Sequence, residues 1–353
     1  MSNKRTLLSL AVAAGLGAVS LQASAAPTVY GDLSFALVYT GAYTDTGAGK
    51  ESSYALSDNV SLLGVKGEAA KIGSTSYFYD FNFILDGGKP NTHLAVVGMD
   101  GDFGKVSIGT RINGLFVGMV DGGTYLTNWY YTPGMSSLQV SNGITYETKS
   151  MSGLTLGVQA FDLAKDKTSG ETTTNYTLAG TYGMGALTFG LGYTSYSDYA
   201  DGTTQYSASA DTNMFGDGQN VYSGVNLKSV TGGSVAYKAD KFSVIFAYDM
   251  RKPNDGNANT DSINTAMLTG SYAISDKLSL AANYSNTDQS GTAGKKGSII
   301  TAMISYAPAD SILYTFEIQN SDKDANASSI TGTTGAGGTK SNTGFAAGMI
   351  YNF

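Results

Sequence analysis

The sequence predicts an all-β fold: a transmembrane antiparallel β-barrel of sixteen strands, with tight turns along one rim and long loops along the other. Three observations lead there. Large apolar residues alternate with small or polar ones along most of the chain, which is the period of a strand with unlike faces. The connections between alternating stretches are short and long by turns. Tyrosines gather near the ends of those stretches. Beyond residue 25 no apolar run approaches the ~20 residues that a membrane-crossing helix needs, so any crossing is made by strands.

Residues 1–25 read as an export signal rather than part of the fold. Lys4 and Arg5 form a short positive stretch, Thr6 to Leu21 is apolar, and Ala23-Ser24-Ala25 supplies the small residues of a cleavage site. The mature chain is expected to start at Ala26, with residues 26–353 forming one barrel domain. The sequence has no cysteine, so neither disulfides nor thiolate metal ligands hold it together. It carries 21 Lys and Arg against 28 Asp and Glu, and Lys4 and Arg5 lie in the signal. That acidic balance argues against nucleic acid, which requires clustered positive charge.

Strands are expected at 28–40, 58–68, 74–86, 92–101, 104–112, 138–148, 153–162 and 174–183. The second half adds 186–197, 225–238, 241–251, 262–274, 277–287, 297–307, 311–321 and 342–353. Five show the alternation clearly. Tyr77, Tyr79, Phe81, Phe83 and Leu85 oppose Asp80, Asn82 and Asp86, and Leu154, Leu156 and Val158 oppose Thr155, Gly157 and Gln159. Leu187, Phe189, Leu191 and Tyr193 oppose Thr188, Gly190, Gly192 and Thr194. Phe242, Val244, Phe246 and Tyr248 oppose Ser243, Ala247 and Asp249, and Ile312, Tyr314, Phe316 and Ile318 oppose Thr315, Glu317 and Gln319. The stretches 92–101 and 225–238 alternate poorly.

Short turns such as Gly183-Met184-Gly185, Ala239-Asp240 and Ser275-Asp276 take turns with long stretches at 41–57, 113–137, 198–224 and 322–341. Connections sorted by length between two rims characterise outer-membrane barrels. Tyr146, Tyr182, Tyr237, Tyr272 and Tyr306 fall beside short turns, and Tyr39, Tyr193, Tyr248 and Tyr284 near the opposite strand ends. Two rings of phenols, apolar in body and polar at the tip, suit the two membrane–water boundaries.

Energy decides which face meets lipid. A Lys or Arg on the lipid face costs about 2–4 kcal/mol at the bilayer midplane. None of the five apolar faces carries a charge, whereas Asp80, Asp86, Asp249 and Glu317 all fall on the other side. An inner face of this kind in a barrel of about sixteen strands encloses water, and its small Gly, Ser and Thr residues argue for open space. Charges expected in the lumen are Asp32, Asp80, Asp86, Glu147, Asp249 and Glu317 against Lys66, Arg111 and Arg251. Their acidic excess predicts a mild cation preference.

Several stretches resemble the general porins of Gram-negative outer membranes, the trimeric sixteen-strand class. They are Thr28-Val-Tyr-Gly-Asp-Leu, Ser61-Leu-Leu-Gly-Val-Lys-Gly-Glu68 and Val97-Gly-Met-Asp-Gly-Asp-Phe-Gly-Lys-Val-Ser-Ile-Gly109. Asn142-Gly-Ile-Thr-Tyr146 and Gly153-Leu-Thr-Leu-Gly157 add to them. The last strand, with Phe345, Ala347, Met349, Tyr351 and Phe353, resembles the family's C-terminal signal for the barrel-assembly machinery. The resemblance implies a homotrimer of separate pores amid lipid and lipopolysaccharide, open to small hydrophilic solutes. It also implies that the third long loop, about 113–137, folds into the lumen and narrows it.

In that family acidic residues on this loop usually face a ladder of Arg on the wall. Here Leu62, His93 and Thr110 stand where Arg is expected, Arg111 is displaced by one position, and Asp121 is the loop's one acidic residue. The loop is instead apolar and aromatic, with Leu115, Phe116, Met119, Tyr125, Trp129, Tyr130 and Tyr131. Those side chains either anchor the loop to the wall or line an aromatic eyelet suited to carbohydrate, which is the alternative reading.

Nothing in the sequence suggests an enzyme. His93 is the only histidine and no G-x-S-x-G elbow accompanies it. The Asn- and Asp-rich stretches at 254–261 and 322–324 read as loop turns rather than a metal site, and no cofactor is expected.

Overall fold

The computed structural model describes residues 26–40, 43–44, 49–50, 52–58, 61–86, 89–121, 139–165, 172–196, 227–253, 262–289, 295–321 and 342–353. The barrel strands are β1 (Thr28–Thr40), β2 in two pieces (Ser53–Asp58 and Leu62–Ile72), β3 (Thr75–Asp86), β4 (Lys89–Gly101) and β5 (Gly104–Asn113). They continue as β6 (Gln139–Glu147), β7 (Leu154–Lys165), β8 (Thr172–Met184), β9 (Leu187–Ser195), β10 (Leu227–Lys238) and β11 (Phe242–Pro253). The last are β12 (Ile263–Ala273), β13 (Leu278–Gln289), β14 (Lys295–Ala309), β15 (Ile312–Ser321) and β16 (Asn342–Asn352). Each strand pairs antiparallel with the next, and β1 pairs with β16 from Asp32↔Asn352 to Thr40↔Gly344. The sixteen strands thus form a closed barrel, the one β architecture that leaves no polar backbone edge in lipid.

The alternation becomes two unlike surfaces. Residues paired across strands share a face, so rows such as Val65–Phe81–Ala95 and Leu156–Gly180–Leu191 run around the outside. Large apolar residues in such rows are exposed, Leu191 by 72 %. In water such a surface would drive aggregation; in a membrane it meets acyl chains. All nine tyrosines assigned to the two rings belong to outward rows, as at Tyr182↔Phe189, Tyr272↔Leu280 and Tyr248↔Ala266. Connections at one rim are brief, 73–74, 102–103, 185–186 and 310–311 among them.

Register shifts interrupt several ladders, and those in β2, β4 and β5 bear on the channel. The stretch 58–68 straddles the break in β2, where Asp58 Oδ1 accepts from the Ser61 N–H at 2.8 Å and Ser61 Oγ accepts from the Ser34 N–H at 3.0 Å. These bonds satisfy the backbone where the ladder is interrupted. In β4 the partners change from Asn82↔Leu94 to Phe83↔Thr92, leaving His93 as an extra residue. In β5 they change from Val96↔Gly109 to Ala95↔Arg111, leaving Thr110 as another. A bulge shifts the side-chain phase by one, and past His93 the alternation in 92–101 is weak because the inward residues Leu94 and Val96 are apolar and buried.

Candidate channel and its inner loop

Past Asn113 the chain turns inward, and Val117–Asp121 forms a short π-helical turn inside the barrel. Glycines on the inner wall receive it. A Cβ at Gly157 would meet Leu115 Cδ1 at 2.8 Å and Met119 Cε at 3.0 Å, and one at Gly192 would meet the Phe116 ring at 2.7 Å. A Cβ at Gly232 would meet Phe116 Cζ at 3.0 Å. Leu115, Phe116, Met119 and Val120 are buried accordingly. The inner glycines expected to mark open space therefore form the socket of this segment on β7, β9 and β10. The apolar side chains Leu115, Phe116 and Met119 anchor it to the wall.

Gln159 fixes the segment's entry. Its Oε1 accepts from the Leu115 N–H at 3.1 Å, and its Nε2 donates to the Asn113 carbonyl at 2.8 Å and to Thr145 Oγ1 at 2.7 Å. The side chain is 1 % exposed, so these bonds satisfy a buried amide while holding both backbone groups of the turn.

Between this segment and the wall of β1 to β6 lies a cavity of about 620 Å³. Its charged lining consists of Lys66 and Glu68 on β2, Asp80 on β3, Lys105 on β5 and Glu147 on β6. Lys66, Glu68 and Lys105 are exposed. The Tyr30 hydroxyl donates to Asp80 Oδ1 at 2.5 Å and accepts from Asn82 Nδ2 at 2.9 Å, and His93 Nδ1 lies 2.9 Å from Asn82 Oδ1. The bulge at His93 thus still lets its ring join the inner network. Asp32 and Leu62, partners on neighbouring strands, stand half-buried on the inner face beyond this cavity.

The other charges expected in the lumen have different surroundings. Arg251 Nε donates to Asp249 Oδ2 at 2.8 Å, and the two side chains are 1 % and 0 % exposed. Glu317 is wholly buried, with Met303 and Ala346 as its ladder partners. These three face inward, as alternation requires, but are withdrawn from the solvent that a solute would share. Arg111 pairs with Ala95, which shares an outward row with Phe81. The extra residue Thr110 shifts the register on the side of β4 only; on the side of β6 the ladder runs on from Lys105↔Glu147 through Ser107↔Thr145 to Arg111↔Ser141. The side chains of Asp86 and Asp121, the whole of Trp129 and Tyr130, and the stretches 254–261 and 322–324 lie outside the described residues.

Sequence reasoning passed over Lys105, Glu68, Tyr30 and Gln159. Lys105 and Glu68 keep phase with Ser107 and Lys66, so strict counting by two would have found both. Tyr30 gave no signal, because a tyrosine on an inner row reads like any strand-forming tyrosine.

A closed strand barrel with an apolar exterior and a charged interior cavity defines an outer-membrane channel protein. A family model described as Gram-negative porin matches residues 9–353, and the chain belongs to that family. Family and fold together place it in the outer membrane as a channel. Among solved structures, an anion-selective porin from Comamonas acidovorans superposes with a TM-score of 0.68 at 16% identity, over 93% of this chain and 99% of that one. OmpT of Vibrio cholerae gives 0.66 at 14%, and Salmonella typhi OmpF, in complex with daunomycin, 0.65 at 14%. Both alignments cover 93% of this chain and 97% of the other. No curated protein sequence matches.

Proposed function

We propose that the protein is a water-filled channel for passive diffusion of ions and small hydrophilic solutes, with a mild preference for cations. One observation carries this reading. The cavity beside the inner segment sets three carboxylates, Glu68, Asp80 and Glu147, against two ammonium groups, Lys66 and Lys105. Protein walls of low dielectric strengthen the field of such an excess and raise the local concentration of cations. The preference is mild because the excess is a single charge and because Asp249, Arg251 and Glu317 are buried.

Reversal potentials across planar bilayers in a KCl gradient test the reading. The expected sign is that of a cation-selective pore, and an anion-selective sign overturns the preference. Absence of conductance overturns the channel itself. We further propose that three copies assemble with separate pores, by analogy with the trimer form of Vibrio cholerae OmpT. Sedimentation in detergent is expected to give the mass of three chains. The C-terminal strand, with Phe345, Met349, Tyr351 and Phe353, serves as the contact for the assembly machinery, and residues 1–25 are removed on export.

A further inference from the structure

The two lysines of the cavity stand beside carboxylates without closing onto them. Lys66 and Asp80 are ladder partners on β2 and β3, as are Lys105 and Glu147 on β5 and β6. Side chains at such positions start about 4.5–5.5 Å apart at Cβ and ordinarily form a contact pair when oppositely charged. Tyr30 separates the first two. Lys66 Nζ lies over its ring, 4.6 Å from the centroid, while its hydroxyl donates to Asp80 Oδ1 at 2.5 Å. One rigid side chain thus holds a cation against its face and an anion at its tip. Gly64 gives the ring room to lie against β2, since a Cβ there would meet Tyr30 Cζ at 2.5 Å. Lys105 repeats the theme, its Nζ 5.3 Å from the centre of the Phe78 ring.

All four charges line one cavity together with a third carboxylate, Glu68, and the polar residues Ser107, Asn113 and Thr145, while Leu94, Val96, Ile112, Leu115 and Met119 form an apolar flank. Its volume of about 620 Å³ falls within the range of about 300–1,000 Å³ for small-molecule sites. Both signs are presented, kept apart, beside a greasy flank. A neutral sugar can hydrogen-bond to either group but offers no opposite charge. A singly charged solute gains one partner and meets a like charge beside it. A zwitterion satisfies both. We infer that Lys66, Asp80, Lys105 and Glu147 form a transit site for zwitterions bearing an apolar side chain, that is, apolar amino acids and short peptides. The solute's ammonium goes to Asp80 or Glu147, its carboxylate to Lys66 or Lys105, and its side chain to Leu115 and Met119. This assignment rests on the channel reading above.

Swelling of proteoliposomes holding the full chain tests it, with KCl conductance measured on the same preparation. The probes are leucine, leucinamide as the cation, 4-methylvalerate as the anion, serine, and a neutral pentose. Leucine is expected to enter about fivefold faster than either singly charged analogue, with serine behind leucine and the pentose slower than both. The pair Lys66→Met with Asp80→Asn removes the advantage. Tyr30→Leu removes it too while deleting no charge, because Lys66 then closes onto Asp80. Equal rates for leucine and its analogues through a conducting channel overturn the site and leave the channel reading intact. A preparation without conductance overturns both.

Discussion

Gln159 illustrates how one side chain governs the inner loop. It is the buried amide that ties Asn113 and Leu115 to the wall and also bonds Thr145. Gln159→Leu keeps the volume but strands buried backbone groups, each worth about 1–3 kcal/mol. The expected outcome is a channel that still folds, with larger current fluctuations in single-channel recordings as the segment 114–121 loosens. Unchanged fluctuations would show that the glycine socket alone holds it. Gly192→Val attacks the socket from the other side: a Cβ would already stand 2.7 Å from the Phe116 ring, so the segment must move into the cavity. A measurable fall in conductance is the expected result.

Among the elements, bulges and small residues set the details that alternation leaves free. The extra residues His93 and Thr110 shift the register of β4 against β3 and of β5 against β4, while β5 keeps its register against β6. Outward positions obey a simpler rule. Leu191 on β9 is 72 % exposed in an apolar row, and Leu191→Lys is expected to lower folding stability in vesicles by about 2–4 kcal/mol if the residue lies near the midplane. Ser107→Lys, on the inner face beside the cavity, is expected to cost a fraction of that. Guanidinium titrations of both variants into phosphocholine vesicles measure the contrast, and equal losses would contradict the assignment of faces. The outward faces of strands such as β3, β7, β9, β11 and β15 are legible in sequence because a period of two survives wherever no bulge intervenes. The break in β2 was not, since Asp58 and Ser61 look like ordinary strand residues until their bonds are seen.

For the whole molecule the decisive event is closure. Gly31 N–H donates to the Phe353 carbonyl at 3.1 Å, and Phe353 N–H donates back to the Gly31 carbonyl at 3.0 Å. The Phe353 ring lies across Gly31, where a Cβ would meet Cζ at 2.8 Å. Gly31→Leu is therefore expected to impair the meeting of β1 and β16, and also to press on β2, where a Cβ would stand 2.3 Å from the Leu62 carbonyl oxygen. Heat-modifiable migration on gels reads this as a lower yield of folded barrel. A full yield would mean that both the ring and the β2 backbone give way.

The barrel, its lipid face and its class could all be read from the chain of residues, because they follow from local alternation and from the cost of charge in hydrocarbon. Lys66, Asp80 and Glu147 could be marked as inward in the same way, since facing is a matter of counting. How far each inward charge is exposed is a matter of packing. Asp249, Arg251 and Glu317 share the phase of Asp80 yet are buried, whereas Lys105 is exposed in the cavity. Side-chain direction is a property of one strand, but burial depends on what a distant segment covers, and no periodicity encodes that.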